Sequence, residues 1–515
     1  MAQKTILVPL FFLAMLCCNA QHSKLWENFK RAKHNNTEPI LPDFSYAGYM
    51  YSEIGIPKAN YNVFNVLDFG AKPNDTISDK HAIVKAIKAA STHGEGIIYF
   101  PKGTYVLNTE KDGTDVVNIT SSKIVFRGED KASTTLFFKK DLPPLDPETL
   151  WSCPFAIQVK ANMEHKFLAN IVKDAKRETY SVVVDDASNI KVGDWVTLEV
   201  LNTNMDLIEY DIQPLQLNPK WTSLSQQGVK VNERHLVKKI MGDTVYFYEP
   251  IHYDVQTKHN WKLTSFSPLD HIGFENLSFE GNWIEKFVHH KNARHDGGWS
   301  ILNLSGVVNS WINNCRFINV SRCATFSNAA ASTAINISIE GNYGHNAINT
   351  SGSTGILLAK INDLAGMHHS VGVAGNSTTN TVVWRCNYAK HTSFEAHASQ
   401  PRCTLFDNVT GGFFQGRAGG AIKNLPNHGR YLVLWNFKEI DVSEKDFTFV
   451  ATNTWYWRIV PPIIVGFHGS GTTFKEDQVQ TLESLGTPVQ PASLFEAQLE
   501  LRLGKLPEWI LQQLN

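Results

Sequence analysis

Histidine and arginine are concentrated in one stretch of this 515-residue chain, between residues 366 and 408. The stretch contains only two carboxylates, but it contains four histidines and two arginines: His368, His369, His391, His397, Arg385 and Arg402. Imidazole exchanges protons near neutral pH, and guanidinium binds oxyanions through a planar fork of donors. These residue types therefore indicate acid–base chemistry on a negatively charged substrate.

The spacing of these residues indicates that they stack in columns. Two of them, His368 and His391, continue an evenly spaced series with Arg322 and His345. The step is about 23 residues, which is a repeat length found in solenoids. Apolar, strand-like segments recur at nearly the same period, marked by Ile312, Ile335, Leu358, Val382, Leu405 and Leu432. In a solenoid each repeat stacks on the previous one. We therefore predict a basic strip along one side of a solenoid, suited to an extended anionic polymer.

The elements that position this strip are predicted to be short strands. A repeat of this length is too short for a helical hairpin, but it accommodates three strands joined by turns rich in Asn, Gly, Ser and Thr. A sandwich with evenly spaced strands is the alternative interpretation.

The N-terminal part of the chain carries a strand–helix–strand pattern. A strand over 64–69 precedes a helix capped by Ser78 or Asp79, and "GIIYFPKGTYVL" forms a second strand. This run of about forty-five residues resembles the N-terminal capping unit of the pectate-lyase-like superfamily. The resemblance implies an all-β, right-handed parallel β-helix with an N-terminal helical cap, in a superfamily that includes polysaccharide lyases and polygalacturonase-type hydrolases.

The rest of the chain divides into segments with different sequence patterns. In residues 165–262 apolar and polar residues alternate as in strands, around "VGD" and "MGD" turns, which predicts a β-rich insertion. Near the C-terminus, Ser493 with Glu496 forms a capping box before a helix. We expect that helix to cover the last rung of the solenoid. The predicted segments are a signal peptide (1–20), an N-terminal extension (21–60), the cap and first rungs (61–164), the insertion (165–262), the β-helix with the strip (263–440), and C-terminal rungs with the capping helix (441–515).

The residue types of the strip favour β-elimination over hydrolysis. Cleavage next to a uronic acid requires a cation on the carboxylate, a base for the C5 proton and an acid for the leaving O4. Glycoside hydrolysis usually requires two carboxylates. We therefore predict a polysaccharide lyase. A hydrolase of an anionic polysaccharide and a non-catalytic polysaccharide-binding β-helix are the alternatives.

Individual roles follow from the columns. The predicted catalytic residues are His368, His391, His397 and Arg417, with His391 or His368 as base and His397 as acid. Arg417, Arg402 or Arg385 binds the uronate carboxylate. Lys390 and Tyr388 are the alternative bases. The predicted substrate-binding residues are Arg322, His345, His369, Arg385, Lys390 and Arg402.

The resemblance also implies a substrate class: ulvan, alginate, pectins or glycosaminoglycans. The excess of arginine favours a polymer with sulfate as well as carboxylate, such as ulvan or a chondroitin-type chain. Calcium-dependent pectate lyases gather aspartates on their rungs, and this chain departs from that pattern. We therefore expect arginine to neutralise the carboxylate, with no metal ion or other cofactor, and Ca²⁺ is the alternative.

Three further stretches are candidates for substrate contact. The loop "HHKNARHDGGWS" (289–300) could overhang the cleft with His295 and Asp296. Trp455 and Trp457 alternate on one predicted strand and could stack on a sugar ring. His428 and Arg430 precede the last rung. A solvated loop and buried aromatics are the structural alternatives.

Composition limits the class of protein and its partners. A net charge of −1 without a long basic run gives no reason to expect a nucleic-acid partner. Lys4, the apolar run that follows and the small residues Cys18 and Ala20 predict a cleaved signal peptide, hence a secreted or periplasmic protein, with a lipoprotein anchor as the less favoured alternative. No later run could span a membrane. The five remaining cysteines lack CxxC spacing, which indicates free thiols, and we expect a monomer.

Overall fold

Short strands stack in parallel columns and confirm the predicted right-handed parallel β-helix. The computed structural model describes residues 21–413, 419–450 and 458–514. The first column contains twelve strands, each paired in parallel with the next: Val63–Asn65, Gly96–Phe100, Ile124–Gly128, Gly273–Glu275, Trp311–Asn313, Ala330–Glu340, Thr354–Asp363, Thr381–Trp384, Thr404–Asp407, Leu432–Trp435, Ile463–Val465 and Thr481–Glu483.

Two further columns complete the rungs. The second comprises Gly103–Leu107, Thr134–Phe138, Ser278–Gly281 and Arg316–Ile318, and then continues in the long strands Ala330–Glu340 and Thr354–Asp363. The third column is a separate seven-stranded sheet: Val117–Ile119, Ile157–Lys160, Ser300–Ser305, Arg322–Ser327, Asn346–Ser351, Gly372–Ala374 and Glu395–His397. Apolar side chains from all three columns form one continuous core, which explains why the strands read as buried apolar runs.

The rungs are less regular than the predicted period. Strand pairing aligns Trp311, Thr333, Leu357, Val382, Leu405 and Val433. The steps between them are unequal, the shortest running from Trp311 to Thr333 and the longest from Leu405 to Val433. The turns between strands absorb the difference, and many of them place asparagine in the left-handed region, as at Asn314 and Asn319. A mean period therefore predicts the stacking but not the register of every rung.

The insertion folds as a closed antiparallel barrel. Its six strands are Phe167–Lys173, Ser181–Val184, Trp195–Asn202, Val229–Met241, Thr244–Phe247 and Lys262–Ser265. A helix, Met205–Ile212, lies between the third and fourth strands. The barrel has a core of its own, as expected for alternating strands that close on themselves.

The helix of the N-terminal cap forms as predicted, but the strand before it is shorter than predicted, because Val63–Asn65 is a strand and Val66–Phe69 is a 3-10 helix. The helix Lys80–His93 begins after Asp79 and buries Ile83, Ala86, Ile87 and Ala90. Its first amide, on Lys80, donates to the Ser78 hydroxyl, while the Asp79 carboxylate accepts hydrogen bonds from the backbone of Lys72 and Val106. Asp79 therefore occupies the N-cap position without capping the helix through its side chain, and of the two predicted capping side chains only that of Ser78 bonds a helix amide.

The C-terminal helix does not cover the last rung. Leu494–Leu503 lies along the side of the β-helix, where Leu494 and Phe495 pack with Trp384, Leu405 and other first-column residues. The helix Lys24–His34 belongs to the same apolar cluster, and the final helix is Glu508–Leu514. Half of the predicted capping box forms, since the Ser493 hydroxyl accepts from the amide of Glu496, while the Glu496 carboxylate accepts from Trp384 and Arg385 instead. The prediction failed because amphipathic character identifies an apolar face but not the surface that it covers.

The remaining sequence-based expectations concern cysteines and membrane segments. All five cysteines of the described chain are buried free thiols, as predicted. No described helix is long and apolar enough to cross a membrane. The predicted signal peptide, residues 1–20, lies outside the described residues.

Candidate functional site

Six imidazoles meet beside the third column, and we call them the histidine cluster: His289, His290, His345, His368, His369 and His397. Their ring centroids form a connected series. His289 lies 3.6 Å from His290 and 4.1 Å from His368. His369 lies 4.8 Å from His368, 5.0 Å from His345 and 4.7 Å from His397. The cluster therefore combines residues from one loop and three successive rungs.

Strand pairing in the third column positions the rung histidines. The amide of His368 donates to the carbonyl of Gly344, and that of His369 donates to the carbonyl of His345. His369 also forms a bridge with Asn346, and His397 ends the next strand of the column. Consecutive parallel strands lie about 4.8 Å apart, so these rings are held at close to that spacing.

The loop that contributes His289 and His290 is held by Asp296, a fully buried residue in the short helix Ala293–Gly297. The Asp296 carboxylate accepts from His290 Nδ1 at 2.6 Å and from the His290 amide at 3.0 Å. Its backbone carbonyl accepts from Nδ1 of His345 at 2.8 Å. One residue therefore orients a histidine of the loop and a histidine of the rungs.

A carboxylate also orients the centre of the cluster. His369 Nδ1 lies 3.0 Å from Oε2 of Glu395, and both side chains are buried. His368 and His397 are only partly buried, and both rings contact that of His369. A histidine fixed by a carboxylate and flanked by accessible imidazoles can take part in proton transfer.

Burial sets the charge state at the base of the cluster. Desolvation, and then the neighbouring His369, lower the pKa of His345 far below its usual value. Behind the cluster, burial raises the pKa of Asp363 to about 6. The Asp363 carboxylate accepts from the amides of Gly366 and Met367 at 2.8 and 2.9 Å, which fixes the turn that leads into His368.

Two predicted carboxylate-binding arginines do not face a groove, so this part of the prediction is wrong. Arg402 is buried and forms a two-pronged pair with Asp211 of the barrel, at 2.7 and 2.6 Å. Arg385 donates to Glu496 of the C-terminal helix at 2.6 Å. Each guanidinium is neutralised by an acid that is distant in sequence. Such a partner is how the buried charge of Arg402 is accommodated, whereas Arg385 is only partly buried.

Arg322 does not stack on His345 either. Strand pairing aligns Arg322 with Asn346, one position beyond His345. Its guanidinium donates to Ser300 Oγ at 2.6 Å and to the Cys153 carbonyl at 2.8 Å. Burial lowers the pKa of Arg322 to about 10. One extra residue in the rung moved this side chain out of the predicted column.

Other predicted site residues lie at the edge of the cluster or outside it. His391 is exposed and packs against Gly366, where an added Cβ would lie 2.2 Å from its Nε2. Lys390 is exposed beside it. The phenol of Tyr388 is buried, donates to the Val371 carbonyl, and has a pKa raised far above its usual value by burial, so it is unsuited to act as the base. Arg417 lies outside the described residues.

The secondary candidates are mostly structural. His295 is buried and accepts from the amide of Val288. His428 contacts Thr404 Oγ1 at 2.8 Å, and burial lowers its pKa to about 4. Arg430 stacks over Tyr210 of the barrel. Trp455 and Trp457 lie outside the described residues.

Three residues of the site were missed from the sequence. His289 and His290 belong to a loop that was singled out for other residues, and Glu395 was counted only as one of few acids. The adjacent pair of histidines was the available signal for the loop. No spacing rule connects this loop to rungs that lie far beyond it in the sequence.

A separate pair of acids does not resemble a glycosidase site. Glu439 is buried beside Asp441, and burial together with that carboxylate raises its pKa to about 7. Catalytic carboxylates of glycosidases are separated by about 5 Å or more, with the sugar between them. Here Ser470 donates a hydrogen bond to Glu439 and the amide of Phe413 donates one to Asp441, so both acids are engaged within the protein.

Two family models match parts of the chain. Residues 63–142 match the family described as rhamnogalacturonase A/epimerase, pectate lyase-like. Residues 366–513 match a domain of unknown function, DUF4955. The matched range includes three residues of the histidine cluster, His368, His369 and His397, and the carboxylate partner Glu395. No curated protein matches the chain in sequence.

Solved structures of low sequence identity resemble the chain weakly. The tailspike protein gp49 from Pseudomonas phage LKA1 is 12% identical, with a TM-score of 0.45 over 79% of this chain and 71% of that one. The AlgE4 A-module of a mannuronan C-5 epimerase from Azotobacter vinelandii is 11% identical, with a TM-score of 0.36 over 83% and 99%. A family 28 exopolygalacturonase from Yersinia enterocolitica is 11% identical, with a TM-score of 0.33 over 81% and 66%. Scores this low carry no argument about the activity of this chain.

Proposed function

We propose that this protein is an exported enzyme that cleaves a uronic-acid-containing polysaccharide by β-elimination. The observation that carries the proposal is the histidine cluster, in which partly buried imidazoles flank the carboxylate-bound His369 on the side of a parallel β-helix. Imidazole is well suited to remove the C5 proton of a uronate and to protonate the leaving O4 near neutral pH. The match of residues 63–142 to a pectate lyase-like family supports a polysaccharide substrate.

We assign His368 as the base and His397 as the acid. Their rings lie 4.8 and 4.7 Å from that of His369, and both are more accessible than His369 or His345. A base and an acid that both neighbour one fixed ring can reach two positions on one bound sugar. His391 becomes the weaker candidate, because it lies outside the ring contacts of the cluster.

The carboxylate of the substrate still requires a cation. Arg385, Arg402 and Arg322 are engaged with the protein itself. Arg417 remains a candidate from the sequence. A polymer that carries sulfate as well as carboxylate, such as ulvan or a chondroitin-type chain, remains the proposed substrate class. Its support is weaker now that these arginines are accounted for by contacts within the protein.

The experiment is a substrate panel with two readouts. The purified chain is incubated with ulvan, alginate, pectic polymers and glycosaminoglycans, while the ultraviolet absorbance of unsaturated uronate and the appearance of reducing ends are followed together. We expect both signals to rise in parallel on at least one polymer. Reducing ends without unsaturated product would identify a hydrolase, and binding without either signal would identify a non-catalytic polysaccharide-binding β-helix.

A further inference from the structure

Three histidines of the cluster form a group with metal-ligand geometry. His289, His290 and His345 each offer one ring nitrogen, and these nitrogens all lie within 4.8 Å of one another. Two of the residues are exposed and the third is buried, so the group opens from the protein interior towards solvent. Imidazole nitrogens bind zinc and similar ions at about 2.0–2.1 Å, which small side-chain rotations from this arrangement would allow.

The side chains behind these rings match the outer shell of a metal site. Histidines that bind a metal usually donate their second ring N–H to a carboxylate or a backbone carbonyl, which fixes the ring and makes it a better ligand. His290 meets the carboxylate of Asp296 through Nδ1, and His345 meets the carbonyl of the same residue through Nδ1. Asp296 therefore leaves Nε2 of both rings as the nitrogen that can bind an ion.

His345 supplies an independent observation. Its Nδ1 is bound to a carbonyl, which accepts only, so Nδ1 carries the hydrogen and Nε2 carries the lone pair. That Nε2 is buried and has no hydrogen-bond partner among the described residues. A buried polar atom without a partner is costly, and a bound cation would satisfy it.

We propose that His289, His290 and His345 bind one divalent transition-metal ion of the zinc type. Nitrogen ligands favour such ions over Ca²⁺ and Mg²⁺, which prefer carboxylate and carbonyl oxygens. Three protein ligands on an ion that takes four leave one position for water or substrate. The inference departs from the sequence-based expectation of no metal, which considered clusters of acids and cysteine spacing only.

The role of the ion deepens the proposed function and rests on it. A metal ion at the open side of the group can bind the uronate carboxylate and withdraw charge from it, which makes the C5 proton more acidic. The ring of His368 lies 4.1 Å from that of His289, so the proposed base is adjacent to the ion. The ion would then supply the cation that Arg322, Arg385 and Arg402 do not provide.

Metal binding is measured directly, without reference to activity. The purified chain is stripped with a chelator, titrated with Zn²⁺ by calorimetry, and dialysed for metal analysis, and Co²⁺ is used as a spectroscopic substitute. We expect one tightly bound Zn²⁺ per chain, a Co²⁺ spectrum typical of nitrogen ligands in low coordination, and no comparable binding of Ca²⁺. A stripped chain that binds no Zn²⁺, or that prefers Ca²⁺, overturns the proposal.

Variants test the ligands one at a time. His289→Ala removes an exposed ligand and should weaken Zn²⁺ binding roughly tenfold or more, and His345→Ala should do the same. Asp296→Asn keeps the shape but presents an amide, and changes of this kind in the outer shell cost about 10- to 100-fold in affinity. His81→Ala, on the exposed face of the N-terminal helix, is the matched control and should bind like the unaltered chain.

Thermal unfolding of each variant without metal confirms that it is folded. His289 is exposed, so its variant remains informative even where His345→Ala fails to fold. Equal affinity of His289→Ala and His81→Ala overturns the assignment of ligands.

Activity then separates this inference from the proposed function. Stoichiometric Zn²⁺ binding with no product on any polymer would leave the metal site standing and reject the lyase. Unsaturated product formed equally well by the stripped and the Zn²⁺-loaded chain would reject the role of the ion in catalysis.

Discussion

His368 and His397 carry the most direct prediction at the scale of single residues. General acid–base groups typically contribute about 10²- to 10⁴-fold to turnover, so His368→Ala and His397→Ala should each lower kcat by roughly that factor. Both side chains are only partly buried, so the fold should survive, as judged by circular dichroism. His81→Ala serves as the control. Turnover close to that of the unaltered chain in both cluster variants would remove imidazole catalysis from this site.

Glu395 provides a finer test, because it acts through another residue. Its carboxylate holds His369 through Nδ1, and an amide in its place would lose the charge and rotate the ring or reverse its tautomer. We expect Glu395→Gln to lower kcat with little change in KM and to shift the acid limb of the pH–rate profile. Glu395→Asp should restore part of the rate. A loss of thermal stability with an unchanged pH profile would show that the pair is only structural.

The sequence predicted that histidines gather in one site, but it did not predict every member of the cluster. His368, His369 and His397 could be grouped because they lie in one short stretch of the chain. The arginines of the same stretch could not be assigned, because their partners, Asp211 and Glu496, lie in distant elements that only the fold brings near. The spacing of basic residues along a chain therefore predicts a basic surface only where the fold brings no acidic side chain from a distant segment into contact with them.

At the scale of elements, Arg402 and Asp211 join the barrel to the β-helix. The pair is buried, and Tyr253 of the barrel donates a further hydrogen bond to the same carboxylate at 3.1 Å. Removing one partner of such a pair leaves a charge without compensation and costs about 3–5 kcal/mol. We therefore expect Arg402→Ala to lower the free energy of unfolding by about that amount in urea titrations.

An exposed ion pair provides the comparison for Arg402. Lys140 and Glu110 are both exposed, so Lys140→Ala should cost no more than about 1 kcal/mol. Replacing both members of the buried pair, as in Arg402→Met with Asp211→Asn, should recover part of the loss. If Arg402→Ala and Lys140→Ala lower the free energy of unfolding equally, the buried pair of Arg402 and Asp211 contributes little to stability.

The elements themselves differ in how far the sequence predicted them. The cap helix was predicted closely, because its apolar spacing and caps are local. The sequence predicted which residues form the C-terminal helix but not the surface on which it packs, since nothing in the sequence of the helix indicates that Leu494 and Phe495 face Trp384. Local signals fix the existence of an element, and its docking depends on surfaces formed by other parts of the chain.

At the scale of the whole molecule, periodicity predicted the architecture. A solenoid repeats one contact pattern, so even an approximate period identifies it. The strand-paired steps are unequal, however, and a shift by a single position turns a side chain to the other face. For this reason the column of His345 and His368 was predicted, whereas Arg322 was assigned to it wrongly.

The pH dependence of stability tests the buried charge network of the barrel. His235 is fully buried, with Nδ1 at 2.9 Å from Glu249 and Nε2 at 3.3 Å from Glu233. Although burial alone would lower its pKa, hydrogen bonds and charge from these two carboxylates outweigh burial and raise the pKa of His235 to about 9. The folded chain therefore holds a proton that the unfolded chain releases above its ordinary pKa of about 6.5.

A histidine whose pKa is raised by folding stabilises the folded state fully at a pH below its pKa in the unfolded chain. This stabilisation is lost as the pH rises through the pKa in the folded chain. We expect the unfolding temperature to fall between about pH 6.5 and 9, by an amount equivalent to at most roughly 3 kcal/mol. His235→Gln cannot take up the proton, so its unfolding temperature should be lower at pH 6.5 and should lack the part of the pH dependence that His235 contributes. The raised pKa of Glu439, about 7, also lowers stability up to that pH, but it does so equally in both proteins. The decisive measurement is therefore the difference between the two proteins from pH 7 to 9, and a constant difference would mean that His235 is neutral in the folded barrel.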